Sequence, residues 1–104
     1  MEIKFGNRRI EKELIDERLM KSTYTKFYSK LLIVMSQLYV AKSLKEISTL
    51  PPLKRHKLNR SYEGCWAVWV SRNFRLIFKA DEDCVGLDES EITKISIIEI
   101  EDYH

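Results

Sequence analysis

The chain is predicted to fold as an α+β domain, with a helical hairpin packed on one face of a small, mainly antiparallel sheet. The segments 66–70 and 74–78 are rich in Trp, Val, Ile and Phe and are joined by Ser71-Arg72-Asn73, which predicts a β-hairpin. Two stretches between residues 8 and 38 repeat apolar residues every three or four positions, as helices do. A length of 104 residues allows one core, so residues 1–104 are predicted to form a single domain.

The first half of the chain predicts a strand followed by two helices. Residues 1–5 alternate apolar and charged side chains, which is typical of a short strand. Asn7 is a candidate N-cap for a helix from Arg8 to Met20, and Ser22 and Thr23 are candidate caps for a second helix. The apolar stripe of this second helix comprises Phe27, Leu31, Val34, Met35 and Leu38. Each stripe needs a partner surface, so we expect both helices to pack on the sheet.

The second half predicts three strands, which completes the order β-α-α-β-β-β. Pro51-Pro52 ends any helix, and residues 53–60 are interpreted as a basic loop without periodicity. Strands are predicted over 62–70, 74–80 and 92–101, with an exposed acidic connection over 81–91. Helices on one side leave the other face of the sheet free to bind a ligand.

Charge is unevenly distributed along the chain. Residues 1–79 carry 17 basic and 7 acidic side chains, whereas residues 80–104 carry 1 and 9. This segregation favours a polyanion-binding face with the acidic segment lying elsewhere. Mutual neutralisation across paired strands is the alternative.

Several classes of function are disfavoured. Cys65 and Cys84 lack the spacing of a metal or redox motif, and the chain has only two histidines, so no metal or cofactor is expected. The longest apolar run, 31–35, is far too short to span a bilayer. Without a targeting motif, the chain is expected to be cytoplasmic and to have no membrane partner.

Arg75 is the candidate centre of a functional site. It interrupts an apolar run, and alternation places it on the face of Ile77, opposite Phe74 and Leu76. An unpaired buried guanidinium is costly, so Arg75 is expected either at a sheet edge or facing an anion. If the last strand pairs beside it, Arg75 and His104 converge. A cation, a base and an acid suffice to cleave a phosphodiester without a metal.

Further candidates surround this pair. His104 carries the α-carboxylate beside its ring, which favours a proton donor, although a frayed terminus is the alternative. Tyr103 could stack on a base or cover the sheet edge, and His56 could act as a base or be a solvated loop histidine. Trp66 and Trp69 are expected on opposite faces, one of them in the core. The candidate RNA-binding residues are basic side chains of the loop and the hairpin turn: Lys54, Arg55, Lys57, Arg60 and Arg72.

The second half of the chain resembles a known family. The segments Tyr62-Glu63-Gly64-Cys65-Trp66, Val70-Ser71-Arg72-Asn73-Phe74-Arg75-Leu76 and Ile100-Glu101-Asp102-Tyr103-His104 are similar to the HigB branch of the RelE/ParE toxin superfamily, the plasmid-maintenance killer proteins. The resemblance implies a RelE-like fold and a toxin of a type II toxin-antitoxin system. It implies cleavage of messenger RNA on the ribosome by metal-independent 2′-hydroxyl attack. It also implies a HigA-like helix-turn-helix antitoxin, through which alone operator DNA is bound.

The resemblance also implies roles for individual residues. Arg75 would stabilise the transition-state phosphate, His104 would do acid–base work, and Asp102 and Tyr103 would orient the RNA or the histidine. His56 lies where the family's loop histidine falls. Three positions depart from the family pattern, because Asn59, Arg60 and Trp69 stand where lysine, glycine and arginine are common. These departures leave open a non-catalytic or decayed module that binds an antitoxin or RNA.

Overall fold

The computed structural model describes residues 1–103 and shows three helices packed on one face of a five-stranded sheet. The strands are β1 (Glu2–Phe5), β2 (His56–Lys57), β3 (Cys65–Trp69), β4 (Phe74–Ala80) and β5 (Lys94–Asp102), and the α-helices are α1 (Arg8–Ile15), α2 (Glu17–Thr23) and α3 (Tyr28–Val40). The strand order is β1-β5-β4-β3-β2, with β1 parallel to β5 and all other pairs antiparallel. The predicted α+β class and the mainly antiparallel sheet are confirmed.

The predicted boundaries of the helices need correction. Asn7 caps α1 as expected, since its Oδ1 accepts a hydrogen bond of 2.8 Å from the Ile10 amide. The single helix expected from Arg8 to Met20 is wrong, because Asp16 is extended and its carboxylate caps α2 by accepting from two amides. Ser22 and Thr23 end α2 instead of starting the next helix, which begins after a 3₁₀ turn at Thr25–Phe27.

The loop expected over residues 53–60 contains a short strand. His56 pairs with Ala67, and Lys57 pairs with Trp66, so β2 extends the sheet beyond the hairpin. The following strand is shorter than predicted because Arg60–Tyr62 forms a 3₁₀ turn before β3 begins.

The main core lies between the helices and one face of the sheet. The fully buried side chains Leu31 and Leu38 of α3 belong to the same cluster as Leu76 and Phe78 of β4. The predicted stripe of α3 is therefore core, as its spacing indicated.

An irregularity in β5 changes which of its residues face the helices. Ile77 of β4 lies opposite Glu99, but its neighbour Phe78 lies opposite Ile97, so Ile98 is an extra residue. Ile97 and Ile100 both join the helix-side core, although they are three positions apart. Glu99 and Glu101 consequently lie on the other face.

That other face is partly covered by the chain itself. Leu58, Ala67 and Ile77 form a second apolar cluster, against which Tyr62 and Ile98 pack. The 3₁₀ turn thus lies over the middle of the sheet, and the expectation of a wholly free face is wrong. Arg75 lies on the same face, beside this cover.

The acidic segment does not lie apart from the basic one. Carboxylates after residue 80 pair with cations before it in Lys4–Asp81, Arg9–Glu99, Arg55–Glu89 and Arg75–Glu101, at 3.4, 2.9, 2.8 and 2.7 Å. Neutralisation across paired strands, the alternative interpretation of the charge pattern, describes Arg75–Glu101, whereas the other three pairs join residues outside paired strands. No helix within residues 1–103 combines the length and apolar character needed to cross a bilayer.

Candidate functional site

Several candidate residues line one depression of about 460 Å³ on the face opposite the helices. It lies where β4 and β5 meet the segment 56–62. Its polar and aromatic lining includes His56, Arg60, Tyr62, Arg75, Glu101 and Tyr103. Residues far apart in the sequence therefore converge here because the sheet places β4 between β3 and β5.

Arg75 is held firmly in this depression. Its Nε and Nη2 atoms donate to the same oxygen of Glu101, Oε2, at 2.9 and 2.7 Å. The Tyr103 ring lies against the guanidinium, 4.3 Å from Cζ to ring centroid, and only 12% of the arginine side chain is exposed. The predicted alternation, with Arg75 on the face of Ile77, is confirmed. Such an oriented, partly desolvated cation can bind a phosphate oxygen strongly.

Aromatic rings extend the site away from Arg75. The Trp69 ring meets Tyr103 edge-on at 5.3 Å and stacks on the imidazole of His56 at 6.2 Å. Trp66 packs on the helix-side core instead, so the expected division of the two tryptophans between faces is confirmed. Half of Tyr103 is exposed, and it both covers Arg75 and leaves ring surface for stacking.

His56 has a defined hydrogen bond. Its Nδ1 lies 2.8 Å from the backbone oxygen of Lys54. A carbonyl oxygen only accepts, so Nδ1 must carry hydrogen, and in the neutral ring Nε2 is then the basic nitrogen. The histidine is half-buried on β2 and is not a freely solvated loop residue.

Tyr62 and Glu101 are residues of the site that the sequence analysis did not assign. Burial is the main factor that raises the pKa of the Tyr62 phenol, and the charges of Glu101 and Glu99 add to it against the opposing charge of Arg75. The phenol is therefore a proton-bearing donor near neutral pH. Both residues lie in segments that resemble the family, 62–66 and 100–104. The 3₁₀ turn and the bulge that orient them have no clear sequence signal.

The charged groups of two predicted RNA-binding cations have partners outside the depression, although Lys57 is one of its lining residues. Arg55 is buried, donates from Nε to the Ile47 oxygen at 2.9 Å and pairs with Glu89, so the expectation that it contacts RNA is corrected. The Nζ of Lys57 lies 5.7 Å from the Trp66 ring centroid, on the helix side of the sheet.

The remaining predicted cations are exposed. Arg60 lines the depression and has a positive φ of 60°, at the position where the family commonly has glycine. Lys54 is exposed beside His56, and Arg72 lies in the hairpin turn, where it lines a separate groove against α3.

Two of the three site residues predicted at positions 102–104 lie within the described residues. Asp102 ends β5 opposite Phe74 and is exposed. The Tyr103 amide donates to the Asn73 oxygen at 2.6 Å, which ties the residue to the hairpin turn. His104 lies outside the described residues, so its expected convergence with Arg75 stays a prediction.

The chain is similar to known proteins in structure and not in sequence. No family model matches the chain, and no curated protein matches its sequence. A YoeB/ParE toxin from Agrobacterium tumefaciens has a similar structure, with a TM-score of 0.60, 10% identity and full coverage of both chains. YafQ from E. coli, as a point mutant and from strain BL21(DE3), gives TM-scores of 0.59 and 0.57, with 17% identity over 97% of this chain and 91% of that one. Identities this low establish the fold alone, and the chain accordingly has the RelE-like fold of these toxins.

Proposed function

We propose that the chain is the toxin of a type II toxin-antitoxin system, a ribosome-dependent endoribonuclease that cleaves messenger RNA by metal-independent 2′-hydroxyl attack. The observation that carries the proposal is the depression in which Arg75, His56, Tyr62 and Tyr103 converge, on a fold shared with known toxins. The motif resemblance to the HigB branch supports the same assignment.

The proposed chemistry divides among few groups. Nε2 of His56 takes the proton from the 2′-hydroxyl, and the freed oxygen attacks the adjacent phosphorus. Arg75 stabilises the negative charge that develops on the phosphorane oxygens. The bond to the 5′-oxygen breaks as His104 donates a proton to it, which leaves a cyclic phosphate. Tyr103 and Trp69 offer ring surface on which a base can stack.

The proposed surroundings follow from the same resemblance. Residues 1–104 would act as one domain in the cytoplasm, on messenger RNA held by the ribosome. A HigA-like helix-turn-helix antitoxin would neutralise the toxin and would carry it to operator DNA. Arg60, Lys54 and Arg72 are the exposed cations proposed to contact RNA phosphates.

Controlled expression tests this function. Inducing the parent chain should arrest growth and produce new messenger ends inside codons, detected by primer extension. Arg75→Ala or deletion of His104 should relieve the arrest, whereas Arg8→Ala, which removes an exposed arginine of α1, should not. If both site variants are as toxic as the parent and generate the same ends, the catalytic assignment is wrong.

A second candidate function is a non-catalytic or decayed module of the same fold that binds an antitoxin or RNA. It is favoured by Trp69, which replaces an arginine common in the family, and by the neutralisation of Arg75 by Glu101. This function predicts no growth arrest and no new messenger ends from the parent chain, together with a stable complex with the antitoxin.

A further inference from the structure

The guanidinium of Arg75 already has an anion on the edge formed by its Nε and Nη2 atoms. Glu101 places one carboxylate oxygen 2.9 Å from Nε and 2.7 Å from Nη2. Carboxylates and phosphates approach this edge of an arginine with the same geometry. The Tyr103 ring covers the guanidinium from one side, which restricts the other directions of approach.

We propose that Glu101 is a built-in competitor that occupies the phosphate position of Arg75 until nucleic acid displaces it. The identity of the displacing ligand as RNA rests on the proposed function, whereas the competition itself requires only an anionic phosphate. Glu101 thereby sets the affinity of the site and keeps Arg75 neutralised in the unbound protein.

The fold enforces this competition. Arg75 and Glu101 are direct partners in the register of β4 and β5, so their side chains leave the sheet on the same face at adjacent points. About a third of the Glu101 side chain is exposed, which gives the carboxylate room to turn toward solvent. If it stays in place, its charge lies a few ångströms from the incoming phosphate and repels it.

An opposite role for Glu101 is distinguishable. A carboxylate that only orients Arg75 for RNA would support binding, and its removal would weaken affinity. Competition predicts the reverse sign, so a single substitution separates the two roles.

The test measures binding of a short single-stranded 2′-O-methyl oligoribonucleotide, which lacks the attacking hydroxyl and stays intact. Glu101→Gln is compared with Glu99→Gln, which makes the same change in net charge on the same strand but breaks a pair with Arg9 of α1, and Arg9 retains Glu13 as a partner. Glutamine can still accept a hydrogen bond from the guanidinium, and circular dichroism checks that each variant is folded. Glu101→Asp serves as a second variant, because its shorter carboxylate keeps the charge and withdraws from Arg75.

We expect Glu101→Gln to bind about 10-fold more tightly than the parent, since removing one close like charge is worth roughly this factor. Its affinity should also depend more steeply on salt, by about 0.7 in the logarithmic slope for one added phosphate contact. Glu99→Gln should bind within about twofold of the parent, and the affinity of Glu101→Asp should lie between those of the parent and Glu101→Gln. In the double variant Arg75→Gln/Glu101→Gln, the gain in affinity from Glu101→Gln should be abolished.

Equal affinity of Glu101→Gln and Glu99→Gln, or weaker binding by Glu101→Gln, would overturn the proposal. If Glu101→Gln binds more tightly but expression of the parent does not arrest growth, the nuclease function is refuted and the competition stands.

Discussion

Arg55 and Arg75 show how the surroundings of a cation decide its role. Both side chains are largely buried, at 6% and 12% exposure, and both pair with a carboxylate from the last quarter of the chain. Arg55 additionally donates from Nε to the backbone oxygen of Ile47. Arg75 lines a depression and lies against an aromatic ring. The first arginine is therefore enclosed by protein contacts, whereas the second borders the depression that we propose as the RNA site.

The Arg55–Glu89 pair predicts a pH effect on stability. The hydrogen bond from Arg55 is the main factor that lowers the pKa of Glu89, and the charges of Arg55, Lys57 and Lys45 add to it while burial opposes it. A carboxyl whose pKa is lower in the folded state contributes stability above its unfolded value of about 4.3 and loses it as the pH falls through the folded value. The free energy of unfolding of the parent, measured by urea titration, should thus fall more steeply below about pH 4.3 than that of Glu89→Gln.

The neighbouring exposed carboxyl Glu91 provides the control for this experiment. Glu91→Gln makes the same change in net charge and leaves the Arg55–Glu89 pair in place. Identical profiles for the parent and Glu89→Gln would show that the pair contributes no stability.

Replacing Gly64 is predicted to destabilise the fold through the backbone conformation alone. Its φ is +87°, and a Cβ built there meets nothing within 4 Å. Gly64→Ala should therefore destabilise the fold by about 1 kcal/mol through conformational strain, without any steric clash. Gly64→Asn should cost less, because asparagine tolerates the left-handed region. Urea titration measures both, and equal stability of Gly64→Ala and the parent would contradict the argument.

At the level of elements, capping explains why the first helical segment is two helices rather than one. Asp16 has an extended backbone, and its carboxylate accepts hydrogen bonds from the amides of Arg18 and Leu19. Its own amide donates to Lys12 and closes α1. Asp16 therefore ends one helix and starts the next. Aspartate often does this because its side-chain oxygen competes with backbone carbonyls for the hydrogen bonds of nearby amides.

Replacing this cap should weaken the fold by a predictable amount. Asp16→Ala removes the acceptor for two exposed amides at the start of α2 and should cost about 1 kcal/mol of unfolding free energy. Asp16→Ser retains a capping oxygen and should stay within a few tenths of the parent value. Thermal and urea unfolding compare the three proteins. A loss in Asp16→Ser equal to that in Asp16→Ala would show that capping is not the cause.

At the level of the whole molecule, the order of the strands joins the two ends of the chain. β5 lies between β1 and β4, so the last strand is interior to the sheet. The first strand, β1, is an edge strand that pairs with β5 alone. β2, with two residues, is one edge of the sheet, and it carries His56. The site is thus built from the centre of the sheet on one side and from its least anchored strand on the other.

Hydrogen exchange should reveal this difference. Amides of β4 and β5 are bonded on both sides by neighbouring strands and should exchange slowest, near the rate set by global unfolding. Amides of β2 should exchange orders of magnitude faster, because local opening of an edge strand exposes them. Mass-spectrometric exchange on peptides covering 53–60 and 74–80 checks the prediction. Equal protection of the two segments would mean that the His56 side of the site is as rigid as the Arg75 side.

The sequence predicts the fold better than the site. Alternation in the hairpin correctly placed Arg75 with Ile77 and separated Trp66 from Trp69, because period-two patterns report directly on a buried face. β2 has no such pattern, since two residues become a strand only through pairing with Trp66 and Ala67. The burial of Arg55 depends on Glu89, 34 positions away, which no local signal reveals.

The extra residue in β5 has a consequence for anyone who would transfer this surface to another scaffold. Rebuilding β5 as a regular strand with Ile97 kept in the helix-side core would turn Glu101 toward the helices, because Ile98 is the extra residue that shifts the alternation between them. Arg75 would then lack its carboxylate partner, and the proposed competition predicts tighter anion binding by the rebuilt surface. The irregular backbone of β5 is therefore part of the geometry of the depression and must be copied with the side chains.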